Sequence, residues 1–161
     1  ILMLIIPLVA VTEGRIPPEQ LELSEELKKE IKDYLDERRL LTSLVIVSEP
    51  TYVGVSVEAK VNIKQRSDPG RVRADIEKEL CRFINPILGG PEGKGWPFGR
   101  ELILSEIYSH IQRVDGVEYV EEARMYPVEL STGKKGAETQ RLALPRTGVL
   151  CSHEHTISVE Y

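Results

Sequence analysis

Val53-Gly54-Val55-Ser56-Val57-Glu58-Ala59-Lys60-Val61-Asn62-Ile63-Lys64 alternates apolar and polar residues, broken only by the small Gly54 and Ala59. Side chains on a strand point to opposite faces with a period of two. Val53, Val55, Val57, Ala59, Val61 and Ile63 therefore share one face, and Gly54, Ser56, Glu58, Lys60, Asn62 and Lys64 share the other. The first face is core. The second is wet or meets a polar partner, which makes Glu58, Lys60, Asn62 and Lys64 candidates for an interface.

Downstream, Asp68 and Pro69 read as the N-cap and first residue of a helix. Val72, Ile76, Leu80, Phe83 and Ile84 line its inner face, and Asn85-Pro86 stops it. The stretch from Asn85 to Arg100, NPILGGPEGKGWPFGR, holds five of the chain's 12 glycines and its one tryptophan. Pro86, Pro91 and Pro97 exclude helix and regular strand. Trp96 and Phe98 are costly to leave in water, so a fixed turn is expected, with both rings plugged between the flanking helices. A phosphate loop does not fit: Gly93-Lys94 is followed by Gly95 instead of Ser or Thr, and Leu88 stands where the first glycine belongs. A dinucleotide fingerprint fails at Phe98, and Pro97 removes an N–H that an anion cradle would use.

Beyond that loop, Leu104, Ile107, Tyr108 and Ile111 form a second helical stripe, which Gly116 ends. Val117 to Met125 reads as a strand with a bulge. Pro127 to Gly136, with Tyr126 at its base, reads as an exposed turn or protruding arm and a second candidate interface. Leu142–Leu144 and Thr156–Tyr161 read as short strands.

Upstream, Leu2 to Val11 is a continuous apolar run and reads as a buried central strand, followed by a turn with Gly14, Pro17 and Pro18. Ser24 caps a helix to about Arg39, with Glu25 and Glu26 in its first turn. Leu27, Ile31, Tyr34 and Leu35 are its expected buried stripe, and Glu25 and Glu26 are expected to pair with Lys29 on the wet face. Leu44–Val47 is the next strand, broken or bulged at Pro50. This order of elements implies an α+β fold, with helices on one face of a mostly antiparallel or mixed sheet. Residues 1–49 form a βαβ unit and residues 50–161 a β-α-loop-α-β unit with trailing strands. They are either two small ferredoxin-like subdomains or one domain with a shared core.

Several of these segments together resemble phage baseplate J-like proteins, in particular the baseplate assembly proteins of contractile tails and tail-derived injection particles. The most specific piece is Asn85-Pro86-Ile87-Leu88-Gly89-Gly90 followed by Gly95-Trp96-Pro97-Phe98-Gly99-Arg100. Glu49 to Val57 on one side, and Ser105-Glu106-Ile107 with Val114-Asp115-Gly116-Val117 on the other, add to it. His155-Thr156-Ile157-Ser158-Val159 resembles the family's closing strand. The resemblance spans essentially the whole chain, as the C-terminal part of a longer family member; residue 1 being Ile fits a piece of that kind. It implies a structural wedge subunit that contacts other wedge subunits and copies of itself. It also implies assembly in the cytoplasm, a place in the baseplate of the particle, and Pro86, Gly89, Gly95, Trp96, Pro97, Phe98 and Gly99 as a structural loop. As a fragment, the chain is expected to form a dimer.

Composition bounds the other readings. The chain has 161 residues and a net charge of −5 without a basic block, which does not suggest a nucleic-acid surface. Ile1 to Val11 is too short to span a bilayer, is broken by Pro7, and lacks the basic start of a signal peptide, so no membrane role is expected. Cys81 and Cys151 give no disulfide framework and point to a reducing compartment. Cys151, His153 and His155 would point the same way at strand spacing, yet the ligand set is incomplete, so neither metal nor cofactor is expected. His110 has Ser109 beside it in sequence and not in space, and no nucleophile elbow exists. Glu121 and Glu122 would alternate faces without converging. The chain therefore reads as a non-enzyme. The alternative is a small-molecule-binding regulatory α+β domain, and a weaker third reading is a metal-dependent module on His153 and His155.

Overall fold

The structure is a computed structural model that describes residues 1–9, 15–40 and 42–161. In chain order its elements are β1 (Leu2–Leu4), α1 (Glu25–Asp36), β2 (Ile46–Ser48), β3 (Thr51–Ile63), α2 (Pro69–Phe83), β4 (Leu102–Ile103), α3 (Leu104–Gln112), β5 (Val117–Glu129), β6 (Lys134–Lys135), β7 (Arg141–Leu142), β8 (Gly148–Ser152) and β9 (Thr156–Glu160), with a 3-10 turn at Pro18–Leu21. The fold is α+β.

The alternating strand is the axis of the molecule. β3 pairs antiparallel with β5 along one edge, and along the other with β8 and then β9, both parallel to it. β6 folds back on the end of β5. The inward residues Val55, Val57, Ala59, Val61 and Ile63 are all buried. Against them pack Val72, Ile76, Leu80, Phe83 and Ile84 from α2 and its cap, and Ile107 and Ile111 from α3. The Asp68 side chain accepts from the Gly70 N–H at 2.9 Å, and Pro69 follows as the first helical residue, so the predicted start of α2 forms as read. β5 carries its bulges opposite Lys60/Val61 and Asn62/Ile63.

The outer face of β3 is less wet than its sequence suggests. Ser56 and Asn62 are buried, because the connection between β8 and β9 and the bulged part of β5 close over them.

The N-terminal run departs from its reading. Only Leu2–Leu4 forms strand, paired parallel with β2, and its residues are exposed or half-buried. The last ladder bond runs from the Ile5 N–H to the Ser48 carbonyl at 3.1 Å; Pro7, with no N–H to give, lies just beyond. Ala10, Val11 and Gly14, assigned to that strand and the turn after it, lie outside the described residues. Ser24 does cap α1, accepting from the Leu27 N–H at 3.2 Å. The stripe expected to be buried is not: no residue of α1 is fully buried, and Leu27 and Tyr34 are exposed. Glu25 pairs with Lys28, which also reaches Glu49, and not with Lys29. Residues 1–49 and 50–161 share packing, since Ile16 and Leu21 cluster with Cys151, Tyr52 and Ile87.

The trailing strands differ as well. Leu142–Leu144 shortens to Arg141–Leu142, which pairs with β4. β8 has no counterpart in the sequence reading. Its five residues are buried throughout, so it carries none of the alternation that marks a half-exposed strand.

Candidate functional site

The tryptophan loop is held by its own backbone. The Asn85 side-chain oxygen accepts from the N–H groups of Ile87 and Leu88 at 2.8 and 2.9 Å. Its carbonyl accepts from Gly89 and Trp96, both at 3.1 Å. Gly90 donates to Phe83, Gly93 to Gly90, Gly95 to Gly89, Gly99 to Gly148 and Arg100 to Pro97. With these donors engaged internally, no row of free N–H groups is left to hold a phosphate. Trp96 is 2% exposed, meets Phe83 edge-on with ring centroids 5.4 Å apart, and donates from Nε1 to the Arg100 carbonyl at 3.0 Å. Gly89 is required by space, since a Cβ there would sit 2.3 Å from the Phe83 carbonyl oxygen. Gly95 is required by its φ of +99°. Phe98, expected to join the plug, is 44% exposed: the left-handed turn at Gly99 carries the chain toward Pro145 and Arg146 and leaves the ring outside. Pro97 is exposed beside it, whereas Pro86 is buried under the loop.

Beside the loop, His110 stacks on Phe83 with centroids 3.7 Å apart, and its Nδ1 lies 2.8 Å from Glu79 Oε1. Burial pushes the Glu79 carboxyl up, but hydrogen bonds from Arg82 and His110 outweigh it and hold the group below the usual range. The adjoining hollow of about 310 Å³ is lined by no serine, threonine or cysteine.

The sequence singled out Cys151, His153 and His155 as a possible metal set. The chain leaves strand geometry after Ser152, so the three do not form one row. Cys151 is buried against Ile16 and Leu21, and burial pushes its thiol up to about 12. His155 turns into the sheet, where its Nδ1 accepts from the Val57 N–H at 3.1 Å. Its Nε2 must then carry the proton and donate to Ser152 Oγ. Ser152 in turn donates toward Cys81 Sγ and the His153 carbonyl, both at 3.4 Å. A catalytic serine needs an imidazole nitrogen free to take its proton. Here the polarity is reversed, and the serine accepts. Burial holds His155 down at about 4, so it stays neutral in the folded chain near pH 7. Among the described residues, no group of three His, Cys, Asp or Glu side chains is placed to hold a metal ion. The Ser152–His155 contact has no counterpart in the sequence reading. Its one sequence signal is the spacing of three, which is too common to read.

The polar face of β3 divides in two. Lys60 lies between Glu121 and Glu160 at 3.0 and 3.3 Å, with Asn62 donating to Glu121 at 3.5 Å. The bulge leaves Glu121 opposite no residue of β3, and Glu121 and Glu122 come to the same side of the sheet, where alternation predicted opposite sides. Nearer β6, Lys135 bonds Glu58 at 2.8 Å, holding that carboxyl below its usual range, and lies over the Tyr126 ring. Arg124 bonds Glu122 at 2.7 Å. Lys64 falls outside both groups, past the end of β3. Pro127 to Gly136 is a hairpin tied back at Gly136 N–H to Pro127, and not a free arm.

The hairpin forms one wall of an open groove of about 860 Å³, whose other walls are the 3-10 turn and the start of β3. Tyr52 lies in it and donates from its hydroxyl to the Leu21 carbonyl at 3.2 Å. Among the described residues no helix is long and apolar enough to cross a membrane. No protein-family model matches the chain, and no curated protein matches it.

Proposed function

We propose that this chain is a structural domain of a phage-type baseplate, a wedge component of a contractile tail or tail-derived injection particle, and that it acts through protein–protein contacts without turnover. The observation that carries this reading is the tryptophan loop. In the run Gly95-Trp96-Pro97-Phe98-Gly99, where the resemblance is most specific, the N–H groups of Gly95, Trp96 and Gly99 and the indole are spent on internal bonds. A loop so committed is a rigid support and not a ligand-binding loop. Two apolar side chains, Leu88 and Phe98, remain on its outside for a neighbour to cover. The ion-pair mosaic around Glu58, Lys60 and Tyr126 supplies a second surface, of the polar kind that sets register more than affinity.

The rival reading, a small-molecule-binding regulatory domain, draws on the groove at Tyr52. Its openness to solvent and the four carboxylates on its rim (Glu19, Glu22, Glu49 and Glu129) fit a buried small ligand poorly. The test is to tag the full-length protein in its own host and purify it under mild salt. Co-purification of tail sheath, tube or other baseplate proteins is expected. Recovery of the protein alone, or with none of these, contradicts the proposal.

A further inference from the structure

The large exposed apolar residues are not spread evenly. Besides Ile1 and Leu8 at the N-terminus, Leu2, Leu27, Tyr34, Leu40, Leu44 and Ile46 all belong to the first 46 residues. All but Leu40, which follows α1, fall on two faces. In the β1–β2 pair, Leu2 and Ile46 are register partners and are 55% and 52% exposed; Leu44 is two residues before Ile46 on the same side. The opposite side of β2, with Val45 buried and Val47 half-buried, turns inward. Parallel strands are found with both faces covered, yet this pair has its outer face bare. On α1, Lys28, Ile31 and Leu35 are half-buried, while Leu27 and Tyr34, two turns apart on the neighbouring strip, are exposed.

We infer that these two faces meet between two copies of this chain, the Leu27–Tyr34 strip of α1 in each covering the Leu2–Leu44–Ile46 face of the other. One chain carries both halves of a missing helix-on-sheet layer, and a two-fold axis satisfies both at once. The area agrees. The five side chains of these faces leave roughly 400 Å² of apolar surface. That is the apolar part expected of a stable interface of about 800 Å² per partner. Residues 1–49 carry more acidic than basic side chains, so the two copies repel at long range. Association through this face therefore strengthens as added salt screens that repulsion, the opposite of what a basic partner would show. The inference stands on the geometry of residues 1–49 and does not need the baseplate reading.

Sedimentation velocity over a concentration series tests it. The chain is expected to rise from monomer toward dimer mass, more readily at higher salt. Tyr34→Glu with Ile46→Glu, both at exposed positions, is expected to weaken association by at least ~tenfold, with circular dichroism unchanged. Tyr119→Glu, on β5, is expected to leave it as it is. The pairing is tested by mixing Tyr34→Cys and Ile46→Cys single variants under mild oxidation. A 34–46 mixed dimer, located by peptide mass, is expected in excess over either homodimer. A strict monomer at all concentrations, a dimer unaffected by the double glutamate variant, or no excess of the mixed crosslink overturns the inference.

Discussion

The Val57 backbone N–H donates to the Nδ1 of His155, 3.1 Å away, so an imidazole stands in the sheet where a neighbouring strand's carbonyl would otherwise accept. β8 and β9 are two strands in line along one edge of β3, and His155 bridges the gap between them. The bond exists only while Nδ1 is unprotonated, which ties the sheet to pH.

His155 is held at about 4 by burial, first, and by the nearby charges of His153, Arg15 and Lys135, against an ordinary value of 6.5. Between these values the unfolded chain binds more protons than the folded one. Stability is therefore full above pH 6.5 and falls as pH drops toward 4, by up to ~3 kcal/mol. His153 is shifted down too, mainly by burial, and acts in the same direction. Urea denaturation at several pH values, comparing the wild type with His155→Gln, isolates the His155 part. The variant is expected to lose less stability across that window, and equal losses would show that His155 is not the titrating group.

Trp96→Ala removes a ring that is buried against Phe83 and bonded to Arg100. The expected cost is about 3–5 kcal/mol, measured by chemical denaturation. Wild-type tryptophan emission is expected to be blue-shifted. Unchanged stability with red-shifted emission would place the ring in solvent.

Gly89 and Gly93 lie in the same loop with opposite tolerances. A methyl at Gly89 meets the Phe83 carbonyl and the Asn85 backbone, whereas one at Gly93 meets open space and carries only the strain of a φ of +68°. Gly89→Ala is expected to cost about 3 kcal/mol, and Gly93→Ala about 1 kcal/mol. Thermal unfolding of the two variants compares them directly. Equal losses would contradict the internal bonding that defines the loop.

The parts of the fold that could be read from sequence are those where one element carries its own pattern. β3 alternates, α2 and α3 repeat their apolar residues at helical spacing, and Asp68-Pro69 and Asn85-Pro86 mark the ends of α2. The reading failed where a residue's surroundings come from distant chain. Leu2 to Val11 has the composition of a buried strand, but Pro7 lies just past the end of its ladder and its outer face is uncovered. β8 is too short and too evenly buried to show a period. His155 meets Val57 across 98 residues of sequence, and Glu121 is turned by a bulge whose place is set by pairing with β3. The composition of the loop marks it as fixed, but the choice of Trp96 over Phe98 as its plug depends on the turn at Gly99, which sequence spacing does not reveal.

The baseplate reading is tested most directly by placing the protein on a particle. The hairpin turn at Gly133 is exposed and leaves room around the chain, which suits it to a short epitope insertion. With that tag in the full-length protein in its host, immunogold electron microscopy of sedimented material is expected to show label at one end of contractile tail-like particles. Label confined to the soluble fraction, with unlabelled particles in the same preparation, would contradict a wedge role.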